Sequence, residues 1–595
     1  MKSLKFLNQF FWRYRWRFLL GIIFIAVSNY FRVLQPQVIR EALDLVIEQI
    51  NMYRLYRGFE LQDQYFGVLA KTLMFFGGLV LVLALLMGFF LYLTRQTIIV
   101  MSRLIEYDLR KLLYDHYQDL GLDFYKRNNT GDLMSRITED VNKVRMYLGP
   151  AVMYLANLIS TIALVIFAML AVSPRLTLYT LLPLPLLAIS IYYVSNLIHT
   201  RSTQIQQQLS KLTSIAQEVY SGIRVVKSYV REPQQVEYFA KEAEEYKEQS
   251  MGLARIDAWF FPLMIFMIGA STILTVYIGG RQVVAGEITA GNIAEFVIYV
   301  NMLTWPVTAI GWIASIVQQA AASQKRINEF LEAKPSIKGE RTESYPLQGI
   351  VRFEEVGFVY PDTGIRALKD LNFELQAGER LAIIGRTGSG KTTVADLLVR
   401  MYDPTEGRIL IDGKDLREHD LANLRSKMGY VPQDVFLFSD TISKNIAFGL
   451  AEVPPQDKIE EFARYAAIHD EIKGLNNGYD TLVGERGVTL SGGQKQRVSI
   501  ARALIKMPDL ILLDDCLSAV DTTTEQQILS YLNEALADKT AIIITHRIYG
   551  HLKFDKIIVL DDGGIAEMGT HEELVKQGGY YAEIFERQLA EEDAE

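Results

Sequence analysis

Cysteine is almost absent from the 595 residues of this chain: Cys516 stands alone. No disulfide can form within it, and the C-terminal part suits a reducing compartment. Also missing is any basic stripe with interleaved aromatics, and the net charge is a modest −8, so nucleic acid is not an expected partner. Charge is scarce locally as well. Before about residue 320 the sequence holds several apolar runs nearly free of charged side chains, whereas after about residue 350 it reads as a soluble α/β protein. At this length two or more domains are expected. The N-terminus carries Lys2, Lys5, Arg13, Arg15 and Arg17 ahead of an apolar stretch, but no small-residue cleavage site follows. Residues 1–17 are therefore expected to be a cytosolic amphipathic lead-in to a retained span and not a cleaved signal.

A bilayer core takes roughly 20 apolar residues in a helix. Six runs meet that requirement: Phe18–Ile39, Leu73–Leu93, Pro150–Val172, Leu176–Ile198, Trp259–Gly279 and Ile293–Val317. Ser173, Pro174 and Arg175 make a tight hairpin between the third and fourth, and the polar turn Arg281–Ala290 joins the last two. The N-terminus and the long segments Arg95–Arg145 and His199–Arg255 are rich in Lys and Arg, while Glu41–Gln64 is mostly acidic. The positive-inside rule puts the basic segments in the cytosol, and with an even span number both termini go there too. Those segments are polar yet helically patterned, so the helices are expected to run well past the lipid.

Two charges fall inside the spans, Arg32 and Glu295. They could line a water-filled cavity, snorkel, or form a structural pair. The last two spans also carry Trp259, Phe260, Met264, Phe266, Met267, Phe296, Tyr299, Trp305 and Trp312. A Met and aromatic surface suits varied apolar ligands, but packing between helices or against lipid is the commoner use.

Between Leu331 and Gln348 the chain turns polar and gains Pro335 and Pro346, which marks a linker over 331–348. Val351–Phe358 then alternates as a strand, with Tyr360 after it. A short buried-type strand, Leu381–Ile384, leads into the loop GRTGSGKT at Gly385–Thr392 and a helical stretch over Thr393–Met401. That is the strand–loop–helix context a phosphate loop needs. Loop N–H groups, those of Thr387 and Ser389 included, and the helix N-terminus hold anionic phosphates. Gly388 and Gly390 let the backbone approach closely, Lys391 reaches the outer phosphates, and the Thr392 hydroxyl coordinates Mg²⁺. Ile511–Leu513 is a second buried strand, ending in Asp514, which can hold Mg²⁺ through water. ATP and Mg²⁺ are the expected cofactors.

The order of these features is more specific than any one of them. The loop is followed about a hundred residues later by Leu490, Ser491, Gly492, Gly493 and Gln494 (LSGGQ), then by the strand with Asp514, then by a lone His546 after Ala541–Thr545. This order resembles the nucleotide-binding domain of the ABC transporter family, and with six spans before it the chain is similar to an exporter half-transporter. The resemblance implies an α-helical six-span membrane domain over 18–330 followed by an α/β P-loop NTPase (ABC ATPase) domain over 349–590. It implies that Tyr360 stacks on adenine, that Gln433 (in YVPQDVFLF) touches metal and attacking water, and that His546 contacts the γ-phosphate. Glu485 (in VGERG) and Asp521 (in LSAVD) would lie near the contact between two motors. The LSGGQ signature would close over ATP held by a partner chain, so the active species is a dimer. Phe124–Arg136 and Ala216–Val230 resemble the cytosolic segments that dock on the motors.

One position departs from the family pattern. Asp515 stands where Glu usually serves as catalytic base, and a carboxylate one methylene shorter falls short of the water it must activate. Similar changes mark the degenerate site of heterodimeric exporters, among them multidrug exporter subunits. A heterodimer with a second half-transporter is therefore favoured, with a homodimer of two slow sites as the alternative. The expected activity is ATP-driven efflux of hydrophobic compounds, drugs or lipids, across the bacterial inner (cytoplasmic) membrane by alternating access. A dedicated lipid or lipid A flippase homodimer is the runner-up. An ATP-gated channel or sensor is a third reading, which weak hydrolysis at Asp515 would suit. No cysteine-protease domain precedes the first span, which disfavours a peptide-processing exporter, and six spans exclude a soluble ATPase.

Overall fold

The computed structural model describes residues 2–592 except 56–57, 59–60, 338–344, 485–486, 488, 519, 521, 536–537 and 550–551. Part of the expected linker, and the candidate residues Glu485 and Asp521, lie outside the described residues. The chain divides into two compact units, one made of residues 1–117 and 131–333, the other of 118–130 and 334–595.

Among the described residues six helices are long and apolar enough to cross a membrane: α1 (Arg15–Leu55), α2 (Asp63–Asp119), α4 (Thr130–Val172), α5 (Pro174–Ser221), α7 (Glu232–Val284) and α8 (Ala290–Leu331). Short helices α3 (Leu122–Arg127) and α6 (Ile223–Ser228) sit at the turns between α2 and α4 and between α5 and α7. At 41 to 57 residues, the long helices measure about 60 to 85 Å at 1.5 Å per residue. A hydrocarbon core is only about 30 Å thick, so the polar, helically patterned segments are extensions of the spans, as expected. The α4–α5 hairpin is tight because Ser173 caps α5, accepting from the Leu176 N–H at 3.2 Å, and Pro174 occupies the first helical turn.

Lipid supplies no hydrophobic drive between helices, so close packing and polar contacts hold them together. Asn29 of α1 donates to Asn157 Oδ1 of α4 at 2.9 Å, and Thr180 of α5 meets Thr275 of α7 at 2.9 Å. At the start of α8, a capping box of Thr289 and Asn292 is joined by Asp44 of α1. The Asp44 carboxylate accepts from the Thr289 hydroxyl at 2.6 Å and from the Gly291 N–H at 2.7 Å, an anion at a helix N-terminus. The pairing considered for Arg32 and Glu295 does not occur. Fully buried Glu295 is bound instead by Arg40 at 3.2 Å, by the Tyr299 hydroxyl at 2.9 Å and by Asn292 at 3.3 Å. Arg40 lies two turns beyond Arg32 on α1, level with the α8 N-terminus that Asp44 caps, and so reaches Glu295 first. The aromatic set is spread between core and surface. Phe296 and Tyr299 are buried in the helical core, whereas Trp259, Phe266, Trp305 and Trp312 are exposed.

The second unit is built on two sheets. An antiparallel sheet has the order β2 (Arg366–Leu375), β1 (Val351–Val359), β4 (Glu406–Ile411), β5 (Lys414–Asp415). The other runs β10 (Gly564–Gly569), β9 (Lys556–Asp561), β3 (Arg380–Gly385), β8 (Thr540–Ile544), β7 (Leu510–Asp514), β6 (Met428–Val431). Its strands β9 to β6 pair in parallel. The central strands β3, β7 and β8 are buried along nearly their whole length, which is why they read as continuous apolar runs. The helix after the phosphate loop, α9 (Lys391–Leu398), packs between the sheets. It starts two residues before the expected Thr393 and stops before the expected Met401. Arg400 takes a positive φ of 53°, and Arg425 donates to the carbonyls of Val399 and Arg400 at 3.1 and 2.8 Å, closing the end.

Candidate nucleotide site

The phosphate loop sits at the C-terminal edge of the parallel sheet, where ligands of such sheets bind. Gly390 ends it with φ 97°, and a Cβ there would lie 2.5 Å from the Ala367 carbonyl, so only glycine fits. Gly388 also has positive φ, and open space surrounds its missing side chain. Lys391 is buried and folds back over the loop, donating to the carbonyls of Gly385 and Arg386, each at 2.8 Å. Burial pulls its pKa down against the attraction of Asp515 and Asp514. A phosphate arriving there would replace two carbonyl dipoles with full charge.

Asp514, at the end of β7, is 1% exposed. Burial pushes its pKa up to about 6, with the Thr392 hydrogen bond opposing the rise and Asp515 adding to it. Its Oδ2 has no hydrogen-bond partner. An orphaned buried carboxylate oxygen beside a threonine hydroxyl fits a divalent cation, which in such sites takes few protein ligands and completes its shell with phosphate and water. Asp515 follows with φ 46° and its N–H held by the Ile544 carbonyl at 2.8 Å. That kink turns its carboxylate out of the strand line, where Gln433 Nε2 approaches Oδ2 at 3.5 Å. Two of the three candidate catalytic residues are thus brought together. His546 lies two residues past Ile544, which pairs with Asp514 across β7 and β8. Its exposed side chain makes no hydrogen bond among the described residues.

The signature lies elsewhere in the fold. Ser491 caps α10 (Gly492–Leu504) in a reciprocal box with Gln494, whose side chain also donates to Glu471 at 2.9 Å. Leu490 anchors the turn in the core, while Ser491 and Gly492 are exposed. Among the described residues this N-terminus makes no hydrogen bond to the phosphate loop. The chain therefore carries two separate anion cradles.

Tyr360 is half-buried, with its hydroxyl 2.9 Å from the Thr393 hydroxyl and its ring edge-on to Phe358 and Tyr402. Sequence reasoning missed what covers it. Lys126, on α3, holds its ammonium 4.8 Å from the Tyr360 ring centre and 5.3 Å from that of Tyr402. Burial lowers the pKa of Lys126, but the neighbouring Tyr402, Tyr360 and Asp396 outweigh it and leave the ammonium raised. Asp396 beneath is pushed up to about 6, chiefly by burial. Arg127 adds a hydrogen bond to the Pro361 carbonyl at 3.1 Å. Lys126 and Arg127, in the stretch Phe124–Arg136, thus lie against Tyr360, the residue expected to stack on adenine, and its neighbours. The sequence of that stretch gives no cue that singles out Lys126 from its basic neighbour.

Residues 18–307 match the ABC transporter transmembrane region, and residues 368–518 match the ABC transporter domain. The chain is 34% identical over 588 residues to YheI of Bacillus subtilis (strain 168), a probable multidrug resistance ABC transporter ATP-binding/permease protein, covering 98% of this chain and 97% of that one. It is 36% identical over 589 residues to MdlA of Escherichia coli (strain K12), a multidrug resistance-like ATP-binding protein, covering 98% and 96%. A solved bacterial Atm1-family ABC exporter with ATP bound superimposes with a TM-score of 0.76 at 28% identity, over 96% of this chain and 98% of that chain. The chain belongs to the ABC transporter family, as an exporter half-transporter in which one membrane domain is joined to one ATPase domain.

Proposed function

We propose that this chain, paired with a second half-transporter, exports hydrophobic compounds, drugs or lipids, across the bacterial inner membrane, with both termini cytosolic. The observation that carries the reading is the separation of the two anion cradles: each chain offers a phosphate loop folded around Lys391 and, apart from it, an exposed signature N-terminus capped by Ser491. Two chains facing each other would complete two sites. ATP would then favour the closed pair over the open one by its differential affinity. The multidrug resistance designations of YheI and MdlA support drugs as cargo.

Within the site, Gly385, Thr387, Gly388, Ser389 and Gly390 cradle the phosphates through their backbone, and Lys391 and Thr393 flank them. Thr392 and Asp514, with Gln433, would hold Mg²⁺, which neutralises phosphate charge when bound. Tyr360 seats the adenine. Gln433 and Asp515 orient the attacking water, and His546 contacts the γ-phosphate. Leu490, Ser491, Gly492, Gly493 and Gln494 serve the partner's ATP, and Glu485 and Asp521 the contact between motors. The short reach of Asp515 makes this chain's own site the slower one and favours a heterodimer. The exposed apolar side chains of the second coupling segment, Tyr220, Val225 and Tyr229, suit docking on the partner's motor.

The test is ATP-dependent uptake of a drug and lipid panel into inverted vesicles holding the native assembly, with Lys391→Ala as the control. Uptake that needs Lys391 supports export. ATP binding with no uptake of any compound would instead favour a gated channel or sensor.

A further inference from the structure

With Arg40 committed to Glu295, Arg32 is left without a counter-ion. It is half-buried, and it makes no hydrogen bond or ion pair with any described residue. It lies fifteen residues past Arg17 and eight before Arg40 on α1, about 22 Å and 12 Å along the axis. Snorkelling offers it little relief. Helical side chains leave the axis tilted toward the N-terminus, which carries the guanidinium deeper along the apolar length and away from the nearer end.

Two more unsatisfied polar groups lie close in depth. Gln35, one turn on from Arg32, has a buried Nε2 with no acceptor, and Thr161 of α4, 0% exposed, has an Oγ1 with no partner. The Asn29–Asn157 hydrogen bond fixes the register of α1 against α4. As the first and third of six successive spans, these two helices run the same way. One turn beyond that bond come Arg32 and Val33 on one helix and Thr161 on the other. Val33 shares a core cluster with Val165, as this register requires. The three groups therefore span only about 5 Å of depth. Two of them can only donate at the atoms concerned, the third can donate as well, and no carboxylate is paired with any. Buried polar groups are expected to be satisfied, and an intramembrane charge marks a functional site.

We propose that Arg32, Gln35 and Thr161 form the head-group subsite for an amphiphile with an apolar body and one anionic group, a phosphate or a carboxylate. This deepens the export reading and rests on it. Arg32 forms the charge-assisted, bidentate contact, and the Gln35 amide and the Thr161 hydroxyl complete the set. The apolar side chains of the helices around them receive the body.

The experiment uses the full chain in nanodiscs of zwitterionic lipid, without nucleotide. It measures equilibrium binding of a short-chain fluorescent phosphatidylglycerol, a fluorescent fatty acid, and the phosphatidylcholine of matching chain length. The wild-type chain is expected to prefer at least one anionic probe. Arg32→Met should weaken that probe about tenfold or more, the weight of one charge-assisted contact, with phosphatidylcholine unchanged. Arg32→Lys should restore most of the loss, and Arg32→Glu should shift preference to a cationic amphiphile. If only the phosphatidylglycerol responds, the anion is a lipid head group; if only the fatty acid does, it is a free carboxylate. Equal binding of all three probes by the wild type, no binding of either anionic probe, or full anionic binding by Arg32→Met would overturn the subsite. Should Arg32→Met fail to fold, the Arg32→Lys and Arg32→Glu pair decides. Because no ATP is present, a failed preference leaves the export reading standing, and a failed vesicle assay leaves the subsite standing.

Discussion

Replacing Asp515 by Glu should speed hydrolysis at this chain's site. Asp515 is already aimed correctly: its kinked backbone is held by Ile544, and Gln433 approaches its carboxylate at 3.5 Å. The 2.6–3.2 Å a base needs is to the water it activates, and Asp, one methylene shorter than Glu, is expected to stop short of it. One added methylene carries the carboxylate about 1.5 Å further toward the in-line water. A displacement of about 1 Å can cost about a hundredfold in rate, so Asp515→Glu is expected to raise the chemical step by roughly ten- to a hundredfold. Single-turnover cleavage of γ-labelled ATP in the reconstituted assembly would measure it, with Asp515→Asn as the null for base catalysis. ATP affinity should hardly change, since the phosphate loop is untouched. An unchanged rate with normal ATP binding would refute the reach argument and remove the main reason for regarding this site as slow.

Other outcomes follow from the same geometry. Asp514 must be ionised to hold Mg²⁺, and its pKa is pushed up to about 6; Mg²⁺-dependent nucleotide binding should therefore weaken as pH falls through about 6, by about tenfold at pH 5. Isothermal titration across pH checks this. In the nucleotide-free protein the same raised pKa gives stability that is present below about pH 4 and lost as pH rises through about 6. Glu295→Ala should destabilise the membrane domain by about 3 kcal/mol, because Arg40 is left in a partly buried site with only Glu41. Melting of the Arg40→Ala, Glu295→Ala double mutant should show less loss than the sum of the singles. Lys126→Met should raise ATP affinity about fivefold, the weight of a cation–π contact of about 1 kcal/mol, since adenine must share or displace that ammonium on Tyr360; a fall in affinity would instead make Lys126 a nucleotide ligand.

Local features were legible in the sequence where one element decides them. The apolar length of each span, the strand–loop–helix around Gly385–Thr392 and the hairpin at Ser173, Pro174 and Arg175 each follow from a short stretch of chain. Contacts that depend on how elements meet were not. Glu295 found Arg40 because α1 presents it at the depth where α8 begins, and no spacing rule distinguishes Arg40 from Arg32. Lys126 reaches Tyr360 across more than two hundred residues of sequence, so neither residue's neighbours announce the other. The end of α9 at Leu398 is set by Arg425, which reaches the Val399 and Arg400 carbonyls from another element.

The most direct measurement is the structure of the Asp515→Asn assembly trapped with Mg·ATP. Shared sites predict nucleotide held by Gly385–Thr392 of one chain, with the facing chain's signature serine within hydrogen-bonding distance of the γ-phosphate, Ser491 playing that part at the opposite site. Nucleotide touching a single polypeptide, with Ser491 remote from any phosphate in the closed form, would contradict the account.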